Sequence, residues 1–433
     1  MEQSSPTYTV PFGRGSVSFR LPAGVAGRLV ESGRAEALRD PAAAAREAVL
    51  NPVGSPPIRT LATPGIRVCI AVTDATRACP DHLLVPPMLS ELAAAGVEDR
   101  DITILVAVGT HRASTAAEKR EKLGDGIVDR YHVVDHDAAD VANLVEVTHG
   151  GGGVPFRLNR IVVEADLVMA TGRVEPHQYA GWSGGGKTVA IGCAGEEIIA
   201  HTHGPAMLDQ PGTRLAQLPG NPFQAAVRRV AAVAKVRFVA NIVMDDDGRP
   251  VAIACGAPEA VQDYLAALAS RHCTVAVPRQ VDIAVAGVGH PKDANLYQAS
   301  RAASYLQFAP TPVVRTGGVI IIPAECPEGA GEGVGERRFR AAMGVSGGIA
   351  EVIRRARAEG IRPGEQRAYV TARVLEDVHV IVAGVRDPAE AAAVGFLSAA
   401  DVDAALALAV GLVGIPATAL VVPHALLTLP IVG

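Results

Sequence analysis

One stretch of the sequence, residues 175–195, combines an imidazole, an ammonium group and a loop rich in glycine. It reads EPHQYAGWSGGGKTVAIGCAG, and the glycine-rich part separates His177 from Lys187. The glycines of the loop are Gly181, Gly184, Gly185 and Gly186. Backbone N–H groups in such a loop can surround an anion, because glycine lets the chain approach closely. A lysine at the end of the loop can clamp a phosphate or act as a reactive amine. The stretch therefore predicts a ligand site rather than a plain turn.

The same residues also match the phosphate-binding loop of nucleoside-triphosphate enzymes. Gly181–Thr188 fits the pattern G-x-x-x-x-G-K-[ST]. That loop works when a strand runs directly into it and a helix leaves it. Here the preceding apolar strand ends near Thr171, and Gly192 and Gly195 make a helix that opens at the lysine unfavourable. A phosphotransferase is therefore an alternative hypothesis rather than the preferred one.

Several further polar residues lie in loops at or near the ends of inferred strands. Together with the glycine-rich loop they make an active site the better interpretation. Three of them are histidines, of which one can ligate a metal and two can act as acid and base. Spacing alone does not assign these roles, because no H-x₃-H pattern joins two of them. The candidates are Asp74, Arg77, His111, His177, Lys187 and His203.

A second group of candidates lies in the sequence NLYQASR, residues 295–301. Gln298 and Arg301 are three residues apart, so a helix would place them on one face. There they can bind a carboxylate. The alternative is an ordinary helix start that is capped near Asp293.

The elements that must position these residues alternate between strands and helices. A strand at 66–74, a helix at 81–95 and a strand at 102–111 form a parallel βαβ unit, and another strand follows at 165–171. Ligands of such sheets bind beyond the carboxyl ends of the strands, where these candidates lie. A second α/β unit begins at 281–289. The pattern predicts two α/β domains with parallel-type sheets and a boundary near residue 275.

Composition excludes several classes of protein. The chain has 433 residues and a net charge of −5, which argues against a general binder of nucleic acid or of membrane surfaces. It shows no secretory signal and no apolar run long enough to cross a bilayer, so we expect a cytoplasmic protein. None of the six cysteines forms a C-x-x-C pair, so neither a zinc site nor a disulfide framework is expected.

The sequence resembles the nickel-dependent lactate racemase family, whose enzymes use a nickel-pincer nucleotide. The resemblance extends over nearly the whole chain. It rests on the motifs VTDATRACP, VAVGTHR, EPHQYAGWSGGGKTVAIGCAG, GHPKDANLYQAS and AECPEG. The activity that it implies is racemisation or epimerisation of a 2-hydroxy acid, an isomerase reaction, by reversible hydride transfer from C2. It also implies a small-molecule substrate and, as partners, the enzymes that make the cofactor.

The resemblance further implies how the domains divide the work. Residues 1–275 would bind the cofactor, residues 276–414 would contribute substrate contacts, and the site would lie in the cleft between them. The tail, residues 415–433, would pack back on the first domain. The cofactor is a pyridinium mononucleotide with two sulfur-bearing arms, one of which would be joined to Lys187, and His203 would bind the Ni²⁺ ion.

The remaining roles follow from the same resemblance. His111 and His177 would be the acid–base pair, one for each enantiomer. The other cofactor-binding candidates are Asp74, Ala75, Thr76, Arg77, Gly184, Gly185 and Gly186. The substrate-binding candidates are Arg77, Tyr297, Gln298 and Arg301. A relative that binds a nucleotide or metal without catalysis remains a further alternative, which the histidine pair argues against.

Two departures from the family concern the substrate. Arg301 occupies a position that is usually lysine, and a planar guanidinium can hold a carboxylate through two hydrogen bonds. The sole tryptophan, Trp182, lies in the glycine-rich loop, so the second domain has none to line a substrate pocket. We therefore expect a 2-hydroxy acid other than lactate.

Overall fold

The computed structural model describes residues 6–33, 35–149, 155–245, 247–362 and 364–433. The strands are β1 Thr7–Phe12, β2 Gly15–Arg20, β3 Val25–Leu29, β4 Val68–Thr73, β5 Ile102–Ala107, β6 His132–Asp135, β7 Leu144–His149, β8 Pro155–Asn159, β9 Leu167–Arg173, β10 Pro176–His177, β11 Gly181–Trp182, β12 Val236–Met244, β13 Pro250–Gly256, β14 Thr274–Val277, β15 Val281–Ala286, β16 Val314–Pro323, β17 His379–Ala383, β18 Leu397–Ala399, β19 Ala417–Val422 and β20 Leu429–Val432.

The helices alternate with these strands along most of the chain. They are α1 Pro41–Leu50, α2 Ile58–Leu61, α3 Asp81–Ala94, α4 Ala116–Leu123, α5 Asp125–Val128, α6 Arg160–Glu164, α7 Gly185–Ala190, α8 Glu196–His203, α9 Pro205–Leu208, α10 Pro222–Val233, α11 Pro258–Cys273, α12 Leu296–Ala299, α13 Arg301–Gln307, α14 Val334–Met343, α15 Gly348–Glu359, α16 Gln366–Asp377, α17 Pro388–Ala393 and α18 Val402–Val413. Within the described residues, none of them is both long and apolar enough to cross a membrane.

The chain divides into two compact units. The larger unit contains Arg34–His203 and Met207–His272, and the smaller unit contains Met1–Gly33, Gly204–Ala206 and Cys273–Gly433. Each unit is built around a six-stranded sheet. The prediction of an α/β fold with two units and parallel-type sheets is confirmed.

The sheet of the larger unit has the strand order β13-β12-β9-β4-β5-β6. All neighbours are parallel except β13, which is antiparallel to β12. Every residue of β4 is buried, as its nearly continuous apolar run predicts for a strand covered on both faces. The strands β4, β5 and β9 agree with the predicted strands, and α3 agrees with the predicted helix at 81–95. The segments with Asp74, His111 and His177 follow the carboxyl ends of β4, β5 and β9, respectively.

The sheet of the smaller unit is parallel throughout, with the order β18-β17-β16-β15-β19-β3. This order corrects two assignments. The prediction that residues 1–33 belong to the first domain is wrong, because β3 pairs with β19 in this sheet. The prediction that the tail, residues 415–433, packs on the first domain is also wrong, because β19 lies between β15 and β3, and β20 pairs with β14. The apolar side chains of β19 are buried in the core of the smaller unit, where Val421 is fully buried.

The six cysteines are all free thiols, and five of them are buried. Burial raises the pKa of Cys69 and Cys255 to about 12, because a thiolate is poorly solvated in the core. They therefore serve as small apolar core residues, as expected from their spacing.

Candidate active site

Asp74 and His111 form a hydrogen-bonded pair at the carboxyl edge of the larger unit's sheet. Asp74 directly follows β4 and is 4% exposed, while His111 lies in the loop after β5. His111 Nδ1 lies 2.5 Å from Asp74 Oδ2, and Thr76 donates its hydroxyl to Oδ1 at 2.7 Å. Burial raises the pKa of Asp74, but the hydrogen bond and charge of His111, with Thr76 and Arg77, lower it overall. The carboxylate thus fixes the ring through Nδ1 and leaves Nε2 for proton exchange.

His177 is fixed by backbone groups instead. It lies in the short β10–β11 hairpin that follows β9 and is half-buried. Its Nδ1 accepts hydrogen bonds from the N–H groups of Tyr179 at 3.3 Å and Ala180 at 3.1 Å. Because Nδ1 accepts these two bonds, the neutral ring carries its proton on Nε2, which is the atom left for proton exchange with a substrate. His111 and His177 are therefore both oriented through the same ring atom, by different partners.

His203 is the last residue of α8 and lies in an aromatic environment. Its ring packs edge-on against Phe223, with centroids 5.0 Å apart, and against Tyr179 at 5.7 Å. Nδ1 donates to the carbonyl of Ile199 at 3.0 Å, so Nε2 carries the lone pair. Burial lowers the pKa of His203 to about 3, and the positive charges of Lys187 and Arg77 add to this effect. This is the neutral, oriented imidazole that a metal ligand requires.

Lys187 lies on α7, a helix of six residues. The prediction that no helix would open at the lysine is wrong, because tertiary contacts override the glycine content. Asn241 Oδ1 accepts the N–H of Gly185 at 2.9 Å, and Thr188 Oγ1 donates to the carbonyl of Thr171 at 2.8 Å. The hairpin β10–β11 nevertheless separates β9 from α7, so no strand runs directly into the loop, as a nucleoside-triphosphate loop would need.

Two glycines of this loop are required by packing against the protein itself. A Cβ atom on Gly181, which has φ +74°, would lie 2.0 Å from the carbonyl oxygen of Gln217. A Cβ atom on Gly185 would lie 2.9 Å from Val239 Cγ1. Gly186 differs, because its nearest neighbour would be Ala231 at 3.8 Å. The sequence alone attributed all of these glycines to a bound ligand, whereas the packing accounts for Gly181 and Gly185.

The substrate-binding candidates of the second group lie in the smaller unit. Tyr297 and Gln298 are on α12, and Arg301 begins α13. The cap of α12 is Asn295, which accepts the N–H of Gln298 at 3.0 Å, rather than Asp293. Gln298 Oε1 is buried and accepts no hydrogen bond from the described residues.

Arginine side chains lie against aromatic rings in this group. The guanidinium of Arg301 lies 5.9 Å from the ring centre of Tyr305. That of Arg367, a buried residue of α16, lies 5.7 Å from the ring centre of Tyr297. Cations at such distances are attracted by the ring faces. Both guanidinium groups are therefore oriented by tyrosine rings.

Two charged residues near the site were not among the sequence candidates. Asp81 is fully buried at the start of α3, and Lys122 on α4 lies 3.0 Å from its Oδ2 atom. The sequence gives only a weak indication of Asp81, because an acidic residue at an otherwise apolar helix start needs a partner if it is buried. Lys122 itself looks like one charge of an ordinary exposed helix.

The described residues do not provide a full set of metal ligands here. In the part of the chain that the structure describes, no three His, Cys, Asp or Glu side chains converge on one point. A metal bound to His203 would therefore need further donors from a ligand. The positive charge of Lys187 contributes to the lowered pKa of His203, so this amine belongs to the same electrostatic environment.

Comparison with known proteins covers both units. A family model described as the lactate racemase N-terminal domain matches residues 12–216, and one described as the lactate racemase C-terminal domain matches residues 276–429. The lactate racemase of Lactiplantibacillus plantarum is 31% identical over 346 residues, covering 78% of this chain and 78% of that protein. The lactate racemase of Thermoanaerobacterium thermosaccharolyticum is 29% identical over 376 residues, covering 86% and 87%.

Solved structures give the same picture for the fold. The lactate racemase apoprotein from Thermoanaerobacterium thermosaccharolyticum matches with a TM-score of 0.86 and 27% identity, over 98% of this chain and 99% of that one. A protein from Thermotoga maritima matches with a TM-score of 0.61 at 20% identity, over 83% and 90%, which shows a shared fold.

Proposed function

The chain belongs to the lactate racemase family, and we propose that it is a 2-hydroxy acid racemase or epimerase that works with a nickel-pincer nucleotide. Members of this family are isomerases. The observation that carries the proposal is the neutral, oriented imidazole of His203, whose pKa the positive charge of Lys187 helps to lower. A ligand that is tethered to the lysine and brings its own metal donors fits this pair, because the described residues contain no group of three His, Cys, Asp or Glu side chains that could hold a metal ion.

The residues would hold the cofactor as follows. Lys187 would carry the covalent link, and His203 would ligate nickel through Nε2, a donor that suits this metal. The loop Asp74–Arg77 and the backbone of Gly184–Gly186 would contact the nucleotide. When bound, the group supplies nickel and an electron-poor ring that can accept a hydride from C2 of the substrate.

The two histidines would move the hydroxyl proton. His111 takes this proton at Nε2 from one enantiomer, and the negative charge of Asp74 stabilises the resulting imidazolium. His177 would serve the other enantiomer at its own Nε2, because the hydroxyl groups of the two enantiomers lie on opposite sides. Unlike His111, it has to free Nδ1 from the two backbone N–H groups before Nε2 can accept a proton. Such a positioned acid or base contributes roughly 10²- to 10⁴-fold to a rate.

Three further residues would bind the substrate's anionic group. By the family resemblance, Arg77 would offer a guanidinium, and Gln298 and Arg301 would offer an amide and a guanidinium. Both relatives compared above are named lactate racemases. Two guanidinium groups favour a substrate with a second carboxylate or with additional hydroxyl groups, so we propose that the preferred substrate is not lactate itself.

The first experiment tests the covalent link. The protein is produced together with the cofactor-synthesis enzymes, and its intact mass is measured. We expect an adduct on the wild type and on the control Lys235→Ala, whose side chain is exposed, and none on Lys187→Ala. An adduct that persists on Lys187→Ala would refute the proposed role. Tight binding or hydrolysis of a nucleoside triphosphate with magnesium would favour the phosphotransferase alternative.

A further inference from the structure

A buried carboxylate lies at the junction of several elements around the loop that carries Arg77. Asp81 begins α3 and is 0% exposed. Its contacts come from β4, β9, the loop itself and α4: Thr73 Oγ1 donates to Oδ2 at 3.0 Å, Thr171 Oγ1 donates to Oδ1, Cys79 Sγ lies 3.7 Å from Oδ1, and Lys122 Nζ lies 3.0 Å from Oδ2. A carboxylate has about four acceptor sites, and these contacts occupy them.

Lys122 connects this carboxylate to the loop backbone. Its side chain is 9% exposed, and its ammonium group has three N–H donors. One of them faces Asp81, and the other two donate to the carbonyl oxygens of Arg77 and Cys79, both at 3.0 Å. Two of the three bonds of this buried cation therefore hold the backbone of the loop.

We infer that Asp81 and Lys122 are a positioning pair for Arg77. This inference rests on the proposed function, in which Arg77 contacts cofactor and substrate. The side chain of Arg77 is exposed, so its direction depends on the backbone from which it starts. A loop that is fixed before the ligand arrives avoids the entropic cost of ordering it on binding.

Fold stabilisation alone would be a weak reason for such a pair. Moving two charges out of water offsets most of their attraction, and apolar residues of similar size often do as well. Here the pair also reaches the loop through two backbone carbonyls, which an apolar replacement cannot do. The contacts therefore point to geometry rather than to stability.

The test uses the double variant Asp81→Asn with Lys122→Met. It removes both charges together, so no buried charge is left without its partner. The asparagine keeps an acceptor for Thr73 or Thr171, while both bonds to the loop carbonyls are lost. A second double variant, Asp135→Asn with Lys119→Met, is the matched control. Lys119 lies one turn earlier on α4 and pairs with Asp135 at 2.5 Å, and the two side chains are 17% and 13% exposed.

Hydrogen–deuterium exchange of the apoprotein gives the first readout. In the Asp81/Lys122 variant we expect residues 74–79 to exchange about 10-fold faster than in the wild type, because the loop opens more often. In the control variant we expect no change in this segment. Equal exchange in both variants would overturn the inference. This arm needs neither cofactor nor activity, so its outcome is independent of the proposed function.

A double-mutant cycle on the loaded enzyme gives the second readout. Alone, the Asp81/Lys122 variant should lower kcat/KM about 10-fold, but added to Arg77→Ala it should lower it by less than about 2-fold, because both act through one side chain. Additive losses would show that the pair acts on the fold and would overturn the inference. A loaded wild type that racemises no 2-hydroxy acid would count against the proposed function, while the exchange result still decides the inference.

A conservative variant covers the case in which the double variant does not fold. Lys122→Arg keeps a cation opposite Asp81, so no buried charge is left unpaired, but a planar guanidinium does not reproduce the three bonds of the ammonium group to Asp81 and to the two loop carbonyls. We then expect about 3-fold faster exchange of residues 74–79. An unchanged rate in this variant would overturn the inference.

Discussion

The larger unit's site and the smaller unit's helix pair α12–α13 differ in how far their polar groups are already bound. In the larger unit, Asp74 binds His111, and Asp81 binds Lys122. In the smaller unit, Gln298 has a buried amide oxygen that accepts no hydrogen bond from the described residues. Buried polar atoms are rarely left in this state, so such an atom indicates a ligand or a water. We propose that the Asp74–His111 and Asp81–Lys122 pairs are in place before a ligand arrives, and that Gln298 completes its hydrogen bonding when the substrate binds.

Replacing either of the two proposed acid–base histidines should have the largest effect on activity. Either His111→Ala or His177→Ala should lower the rate by at least about 10²-fold in both directions, because every turnover uses one histidine as base and the other as acid. His82→Ala on α3, an exposed position, is the control and should have no such effect. The measurement is racemisation of each pure enantiomer by loss of optical rotation. A His177→Ala enzyme that remained near the wild-type rate in one direction would exclude this pairing.

Asp74→Asn should have a smaller effect, because it leaves the histidine in place. We expect a loss of about 10- to 100-fold, as for other hydrogen-bond partners that orient functional histidines. The pKa of Asp74 is lowered in the folded protein, so its carboxylate stabilises the fold above its ordinary pKa. That stabilisation disappears as the pH falls through the lowered value.

Chemical denaturation of the apoprotein between pH 2 and pH 7 measures this pH dependence, in a range set by the ordinary carboxyl pKa of about 4. The stability difference between wild type and Asp74→Asn should be constant at the upper end and shrink at the lower end. A difference that grew as the pH fell below about 4 would contradict the lowered pKa of Asp74.

Gln298→Leu tests the proposed substrate contact of the helix pair α12–α13. The loss of one hydrogen bond to the substrate should raise KM about 10-fold, while the apoprotein should keep its stability. Gln307→Leu is the matched comparison, because Gln307 Oε1 already accepts the N–H of Val314 at 3.2 Å. This second variant should lose stability and keep its KM. Melting curves and steady-state kinetics of both variants distinguish the two outcomes. A Gln298→Leu protein that lost stability but kept its KM would contradict the proposed substrate contact.

Arg301→Lys should have the smallest effect, since the positive charge is kept. We expect kcat/KM to change by a few-fold, which is roughly the effect of losing one hydrogen bond. The kcat/KM for lactate should rise relative to that for larger or dianionic 2-hydroxy acids. A panel of single enantiomers (lactate, 2-hydroxybutyrate, malate, phenyllactate and a sugar acid) measures the ranking. If lactate is already the best substrate of the wild type, Arg301 does not set the specificity.

Local sequence patterns were sufficient for the parts of the fold that local patterns determine. The apolar runs of β4, β5 and β9 and the polar loops that follow them led to Asp74, His111 and His177. The partners of distant elements could not be obtained in this way. The sequence of β3 does not reveal that it pairs with β19, and the glycines around α7 do not reveal that Asn241 binds Gly185.

The Asp81–Lys122 pair was missed for a similar reason. Both residues lie in helices that look ordinary in sequence, and only the tertiary fold brings the ammonium group to the carboxylate and to the loop carbonyls. Residue type indicates which side chains can do chemistry. It does not indicate which charged residues hold those side chains in place.

The position of β3 has a consequence for the order in which the chain folds during synthesis. This strand emerges from the ribosome early, but β19 is made only after every other strand of that sheet. The larger unit is completed in the meantime and can fold first, since domains generally fold as units. Until then β3 exposes unpaired backbone groups, a hazard for mispairing with other chains. Its short sequence VAGRL has Gly27 and Arg28 in the middle and is poorly suited to such pairing. This composition lowers the tendency of β3 to pair with other chains before β19 has been synthesised.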